Sequence, residues 1–159
     1  MGSRNTVIFI GNSIFGDDGI GLVVGGILRR RLEELGFEVQ IAERTGFVLL
    51  DCLDGWERAV VIDSVCTGRN PAGEVLSFSA EDFSSVKSAA PHFSGVPEAM
   101  QLMKGLKMDL PKVSIVGINV NDPYTLSDDI SGDLKLMKDA ISREVFARIM
   151  ALAGGEVNA

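Results

Sequence analysis

The hydrophobic positions of the chain follow two rhythms in turn. Residues 6–10 (TVIFI) form a short β-branched apolar run that stops at Gly11, the signature of a strand buried on both faces. Beyond the segment GNSIFGDDG, apolar residues recur at Ile20, Val23, Val24, Ile27, Leu28, Leu32 and Leu35. Spacings of three and four predict an amphipathic helix, stopped by Gly36. Residues 37–42 predict a second strand and residues 47–53 a short helix. Residues 59–62 (AVVI) predict a third strand, whose uniform apolarity places it at the centre of a sheet. A turn built on Gly68, Asn70, Pro71 and Gly73 leads into a fourth strand over residues 74–78. Residues 81–88 read as a polar surface segment. Residues 94–107 predict a helix with Val96, Met100, Met103 and Leu106 on one stripe, residues 113–118 (VSIVGI) a fifth strand, and residues 119–129 a loop. The last helix spans residues 131–152, with Leu134, Met137, Ile141, Val145, Ile149 and Leu152 at helical spacing. Methionines on these stripes read as core filler rather than as a cofactor site.

Strands alternating with helices predict βαβ units. The expected fold is a single-domain, three-layer α/β/α structure with a mostly parallel five-stranded sheet over residues 1–159. There is no internal repeat, low-complexity tract or linker. In such folds ligands bind at the carboxyl ends of the strands, near the switch in strand order.

Composition narrows the function classes. With 46% hydrophobic and 23% charged residues the chain has too much apolar content for disorder. No apolar run reaches the roughly 18–20 residues of a membrane helix, and residues 1–10 lack the features of a signal peptide. A soluble, cytoplasmic domain is expected, and nothing requires an oligomer, so a monomer is expected too. The net charge of −7 and the lack of basic clusters argue against nucleic-acid binding. The basic run Arg29, Arg30 and Arg31 is followed by Glu33 and Glu34 and reads as a solvated helix face. Cys52 and Cys66 lack zinc or disulfide spacing and sit among apolar residues, so both are expected to be buried thiols.

The chemistry gathers at the ends of the predicted strands. The glycine-rich turn after the first strand would suit a phosphate, but it carries Asp17 and Asp18 and no Lys or Arg. Two carboxylates repel a phosphate, and the spacing fits neither a dinucleotide fingerprint nor a P-loop. Helix capping is the plain role for this pair. Capping leaves Gly19 and Gly21 unexplained, since each costs roughly 1 kcal/mol relative to Ala in a helix. They suggest a close approach to the backbone, by a metal or a substrate chain. Asp63 follows directly on the apolar third strand, where a carboxylate must be paired, capped or bound to a cation. Glu43, just past the second strand, is a nearby acid or a solvent-facing side chain. The sole histidine, His92, follows Pro91 in a loop and is either structural or free to reach the same crevice. If it reaches, two carboxylates and one imidazole suit a borderline divalent ion such as Zn, Ni, Fe or Mn. Without a thiolate the set would hold an ion weakly, and a second molecule would have to complete the coordination. No cysteine lies near these motifs and Ser64 has no base beside it in the sequence, which argues against a covalent nucleophile.

These residues resemble the hydrogenase maturation endopeptidase family, which processes the large subunit of [NiFe] hydrogenases. TVIFIGNSIFGDDGIG is similar to the family's opening motif, with Asp18 at the position of its first metal-contacting acid. VVIDSV matches the strand carrying the second acid, at Asp63. NPAGEV and then PHFSG match the following turn and the segment holding the histidine, at His92. SIVGINV and TLSDDI resemble the closing strand and the start of the last helix. Where the family often has a Gly-Thr pair after the second strand, this chain reads Glu43-Arg44-Thr45-Gly46, and a proline common after the closing strand is absent near Val120.

The resemblance implies a phosphorylase/hydrolase-like fold and an endopeptidase acting on the precursor of a hydrogenase large subunit. It implies that Asp18, Asp63 and His92 contact nickel carried by that substrate, that Asp18 or Asp63 serves catalysis by activating water, and that Asp17 orients the loop. It implies no organic cofactor. His92 would have to be neutral to ligate, so recognition would weaken as pH falls through its titration. Two other classes remain open: a metallohydrolase with its own ion, and a nickel-binding accessory protein without catalysis. A flavodoxin-like nucleotide module is disfavoured by the acidic loop.

Overall fold

The structure, a computed structural model, describes residues 4–43, 47–83 and 95–154. Five strands form one sheet: β1 (Asn5–Gly11), β2 (Glu38–Glu43), β3 (Arg58–Val65), β4 (Val75–Ser79) and β5 (Lys112–Asn119). Their order is β2-β1-β3-β5-β4, parallel throughout except that β4 runs antiparallel to β5. The uniformly apolar third strand is thus the central one, as its composition predicted. The helices are α1 (Ile20–Glu34), α2 (Val48–Leu53), the short α3 (Ala80–Phe83), α4 (Val96–Gly105) and α5 (Gly132–Gly154).

Alternation along each strand divides the buried side chains between two cores. Val7 and Phe9 of β1, Ile62 of β3 and Val116 and Ile118 of β5 face α1 and α5, meeting Val24, Leu28, Leu32, Leu134, Ile141, Val145 and Ile149. Ile8, Ile10, Val61, Val65 and Ile115 face the opposite way, onto Leu49, Leu53, Val96, Ala99 and Met103 of α2 and α4. The result is the expected three-layer α/β/α arrangement. Met103 is fully buried and Met137 and Met150 pack on the core, in line with their reading as filler.

Some positions on the predicted stripes lie outside the core. Ile27 is 42% exposed, Leu35 56% and Leu106 57%: Ile27 stands at the margin of the buried face of α1, and Leu35 and Leu106 lie just past the ends of α1 and α4. Helix α4 is also shorter than predicted: Gly95 caps it, its N–H held by the Glu98 side chain at 2.9 Å, and the helix ends at Gly105. The basic run on α1 is exposed at all three arginines, as expected of a solvated face. Arg29 and Arg30 pair with Glu33 and Glu34 one turn on, both at 3.0 Å, and the Arg31 guanidinium lies 3.8 Å from the centre of the Phe146 ring on α5. Cys52 is buried, whereas Cys66 is only partly so, since β3 has ended by then and the chain has turned towards the surface. Of the predicted surface segment, residues 81–83 belong to α3, with Glu81 and Asp82 exposed; its remainder lies outside the described residues. Among the described residues no helix is long and apolar enough to cross a membrane.

Candidate functional site

From β1 the chain crosses to β2 on one side, then returns to place β3 on the other. The switch in strand order therefore falls between the carboxyl ends of β1 and β3, where an α/β sheet opens a crevice. Both acids singled out in the sequence stand there.

Asp18 arrives on a tight loop after β1. The Asn12 N–H donates to the Asp18 carbonyl at 3.2 Å, the Asp18 N–H to the Phe15 carbonyl at 3.1 Å, and the Ile14 N–H to Asn12 Oδ1 at 3.2 Å. Gly16 takes a left-handed φ of +50°, open to glycine at little cost, and a 3-10 turn over Gly16–Gly19 leads into α1. Asp18 is fully buried in this turn. Asp63 occupies the strand position between Val61 and Val65 and shares their face, that of α2 and α4. It is 5% exposed.

Ser64 joins the two acids. Its N–H donates to Asp63 Oδ1 at 2.8 Å, and its hydroxyl donates to Asp18 Oδ1, 46 residues away in the chain. Sequence spacing left this serine without a base beside it; the fold supplies one from another element. Ser64 is itself 2% exposed, and a buried carboxylate requires donors of this kind.

The N-cap residues of the 3-10 turn and of α1, Phe15 and Gly19, make no side-chain cap, and the acidic pair lies within the first turn. Asp17 Oδ1 accepts the N–H of Ser131 at 2.6 Å, tying the loop to the start of α5. The loop after β5 closes from the same side, with the Gly16 N–H donating to the Ser127 carbonyl at 2.9 Å and the Ser127 N–H to the Ile14 carbonyl at 3.0 Å. Glu43 is exposed and accepts the Ser13 N–H at 3.0 Å, so it holds the first turn in place. Asn119, at the end of β5, had drawn no attention in the sequence. Wholly buried, it accepts the Thr67 N–H at 3.0 Å and donates to the Asn70 carbonyl at 2.6 Å, fixing the turn beyond β3.

Of the two glycines of the first turn, Gly21 answers to the protein's own backbone. A Cβ on Gly21 would stand 2.2 Å from the Ile10 carbonyl oxygen, so α1 lies directly against β1 there. Gly19 has ordinary room, 3.5 Å from the Asn12 carbonyl. The close approach inferred at Gly21 is helix on strand, and no ligand is needed to account for it there.

His92 lies outside the described residues, as do residues 44–46. Among the described residues no three Asp, Glu, His or Cys side chains group as a metal site. A cavity of about 230 Å³ lined by Gly16, Asp17, Asp122, Ser127 and Ser131 flanks the acidic loop. Asp122 and Asp129 both titrate below the ordinary aspartate range. Asp122 does so because the Thr125 hydroxyl and the Tyr124 N–H donate to it, and Asp129 because Lys135 hydrogen-bonds its carboxylate.

The arrangement defines a three-layer α/β/α protein with a buried acid pair at the switch point of its sheet. No family model matches the sequence, and no curated protein matches it. Solved structures do share its fold along nearly the whole chain. The [NiFe] hydrogenase maturation protease HybD from Thermococcus kodakarensis superposes with a TM-score of 0.67 at 24% identity, covering 92% of this chain and 98% of that one. The hydrogenase maturating endopeptidase HybD from E. coli gives 0.69 at 18% identity, covering 95% and 94%. The maturation protease HycI from Thermococcus kodakarensis gives 0.62 at 18%, covering 94% and 93%. The chain has the fold of these proteases.

Proposed function

We propose that this chain is an endopeptidase that removes the C-terminal extension from the precursor of a [NiFe] hydrogenase large subunit, recognising nickel that the precursor already holds. The observation that carries the reading is the buried pair Asp18 and Asp63, joined through Ser64 at the crevice of a fold whose solved examples are named maturation proteases. Both carboxylates are buried at the crevice, and a buried carboxylate is costly unless hydrogen-bond donors or a cation receive it.

The nickel belongs to the substrate, which holds it through cysteine thiolates. Asp18, Asp63 and His92 add oxygen and imidazole donors to it, a set suited to a borderline divalent ion. Alone they hold an ion weakly, so discrimination comes from the ligands the precursor contributes. Cleavage is hydrolytic: water attacks the scissile carbonyl, activated by a carboxylate of the pair as general base or helped by the substrate's nickel as Lewis acid. Asp17 is a positioning residue, holding the loop of Asp18 against α5. The enzyme works in the cytoplasm as a monomer that docks transiently on its substrate, without an organic cofactor.

The test is incubation with nickel-loaded and nickel-free precursor, followed by mass measurement of the products. Loss of the C-terminal extension from the loaded precursor alone is the expected result. Equal cleavage of both, or cleavage of neither, overturns the reading.

A further inference from the structure

We infer that Ser64 is a positioning residue that sets the carboxylates of Asp18 and Asp63 in one fixed geometry for the substrate's metal. The inference rests on the reading above for its choice of ligand; the geometry stands by itself. Successive strand residues point to opposite faces of a sheet, so Asp63 looks towards α2 and α4 while Ser64 looks towards α1 and α5. At the end of β3 this divergence lets one residue serve both acids. Its backbone N–H holds Asp63 Oδ1 at 2.8 Å, and its hydroxyl holds Asp18 Oδ1 from the other side.

The hydroxyl matters because of how an aspartate moves. The terminal torsion of Asp is broad and roughly two-fold, so the carboxylate plane is defined by its hydrogen-bond partners. A ligand oxygen has to sit within about 0.5 Å of its productive position to be useful. Asp18 reaches the crevice on a loop, whereas Ser64 stands in the central strand, paired with Ile118 of β5. Ser64 therefore transfers the rigidity of the sheet to a carboxylate carried by a loop. Partners of this kind behind a ligand typically change metal affinity or activity by roughly 10–100-fold when removed.

The experiment measures the dissociation constant of the full-length protein for nickel-loaded large-subunit precursor by biolayer interferometry, with thermal melting as the check on folding. Ser64→Ala is expected to weaken binding by roughly 10–100-fold, and Ser64→Thr, which keeps the hydroxyl, to restore most of it. Because Ser64 acts through Asp18, adding Ser64→Ala to Asp18→Asn should weaken binding by no more than about two-fold beyond Asp18→Asn alone. A purely structural role would add its loss in either background. Folded Ser64→Ala binding as the unmodified protein does, or losses that simply add, overturns the inference. Precursor bound but never cleaved would count against the endopeptidase reading and leave the affinity comparison intact. Precursor not bound at all would bring down both.

Discussion

Replacing Gly21 by alanine sets two effects of opposite sign against each other. On helix propensity alone the change is favourable by about 1 kcal/mol, since Gly costs that much in a helix interior. The added Cβ, however, would lie 2.2 Å from the Ile10 carbonyl oxygen and 3.3 Å from that of Ile62. Ordinary contact begins at 3.4 Å, so α1 must retreat by more than an ångström from the β1 backbone at Ile10, which cannot swing aside as a side chain would, while the Ile62 contact is only slightly tight. Overpacking of a core costs about 1–3 kcal/mol, and a clash between backbones belongs at the top of that range or above it. The clash wins, with a net loss of about 2 kcal/mol. For a chain of this size that is a fall in melting temperature of roughly 4–8 °C. Gly26, five residues along the same helix, has nothing within 4 Å of its would-be Cβ. Gly26→Ala keeps only the propensity gain and should stabilise by about 0.5–1 kcal/mol. Urea unfolding of both variants, with the slope unchanged and only the midpoint moving, reads the two signs directly. If Gly21→Ala unfolds at or above the midpoint of the parent, or if both variants move the same way, the helix-on-strand account of this turn is wrong.

Asp18→Ala, Asp63→Ala and His92→Ala should each abolish processing of nickel-loaded precursor, a loss of at least about 100-fold, while circular dichroism shows the fold retained; undiminished cleavage in all three would refute the site. The loop after β5 should withstand moderate acid. Asp122 and Asp129 titrate below the ordinary aspartate range, through the Thr125 hydroxyl and the Lys135 ammonium respectively. A carboxyl depressed by folding stabilises fully above its unfolded value, and that stabilisation is lost as pH falls through the lowered folded value. Carboxyl-carbon NMR titration should give both midpoints below the ordinary range, and a midpoint at or above it would contradict the hydrogen bonds. The two thiols should differ sharply towards an aromatic disulfide reagent at mildly alkaline pH. Cys66 is partly exposed and should react in the folded protein, whereas burial, aided by the neighbouring Asp51 charge, pushes the Cys52 thiol up and should delay it until unfolding. Simultaneous reaction of both would contradict the packing of α2.

Much of this architecture was legible because it is written in local periodicity. The strands TVIFI, AVVI and VSIVGI were plain from their apolar runs, and α5 showed its buried stripe at Leu134, Ile141, Val145 and Ile149. Where the stripe misled, at Ile27, Leu35 and Leu106, the residues lie on a helix margin or just past its end. An apolar residue there carries the same periodic signal as a core residue. Asp63 could be singled out because a carboxylate directly after an apolar strand is costly unless something receives it, and Asp18 because it stands in a glycine-rich turn that carries acids and no Lys or Arg.

What sequence alone determined is therefore the order of the elements, the apolar face of each, and which acids stand at strand ends, since these depend on neighbours a few residues away. Tertiary structure decided who meets whom. The strand order set β3 beside β1, and with it the hydroxyl of Ser64 against Asp18; the packing of α5 brought the Ser131 N–H to Asp17, 114 residues distant. It also turned Gly21 from a suspected ligand contact into the point where helix and strand backbones touch. Such meetings depend on how the strands are ordered and registered across the sheet, and a local pattern of apolar and polar positions is compatible with many orders, only one of which makes these contacts.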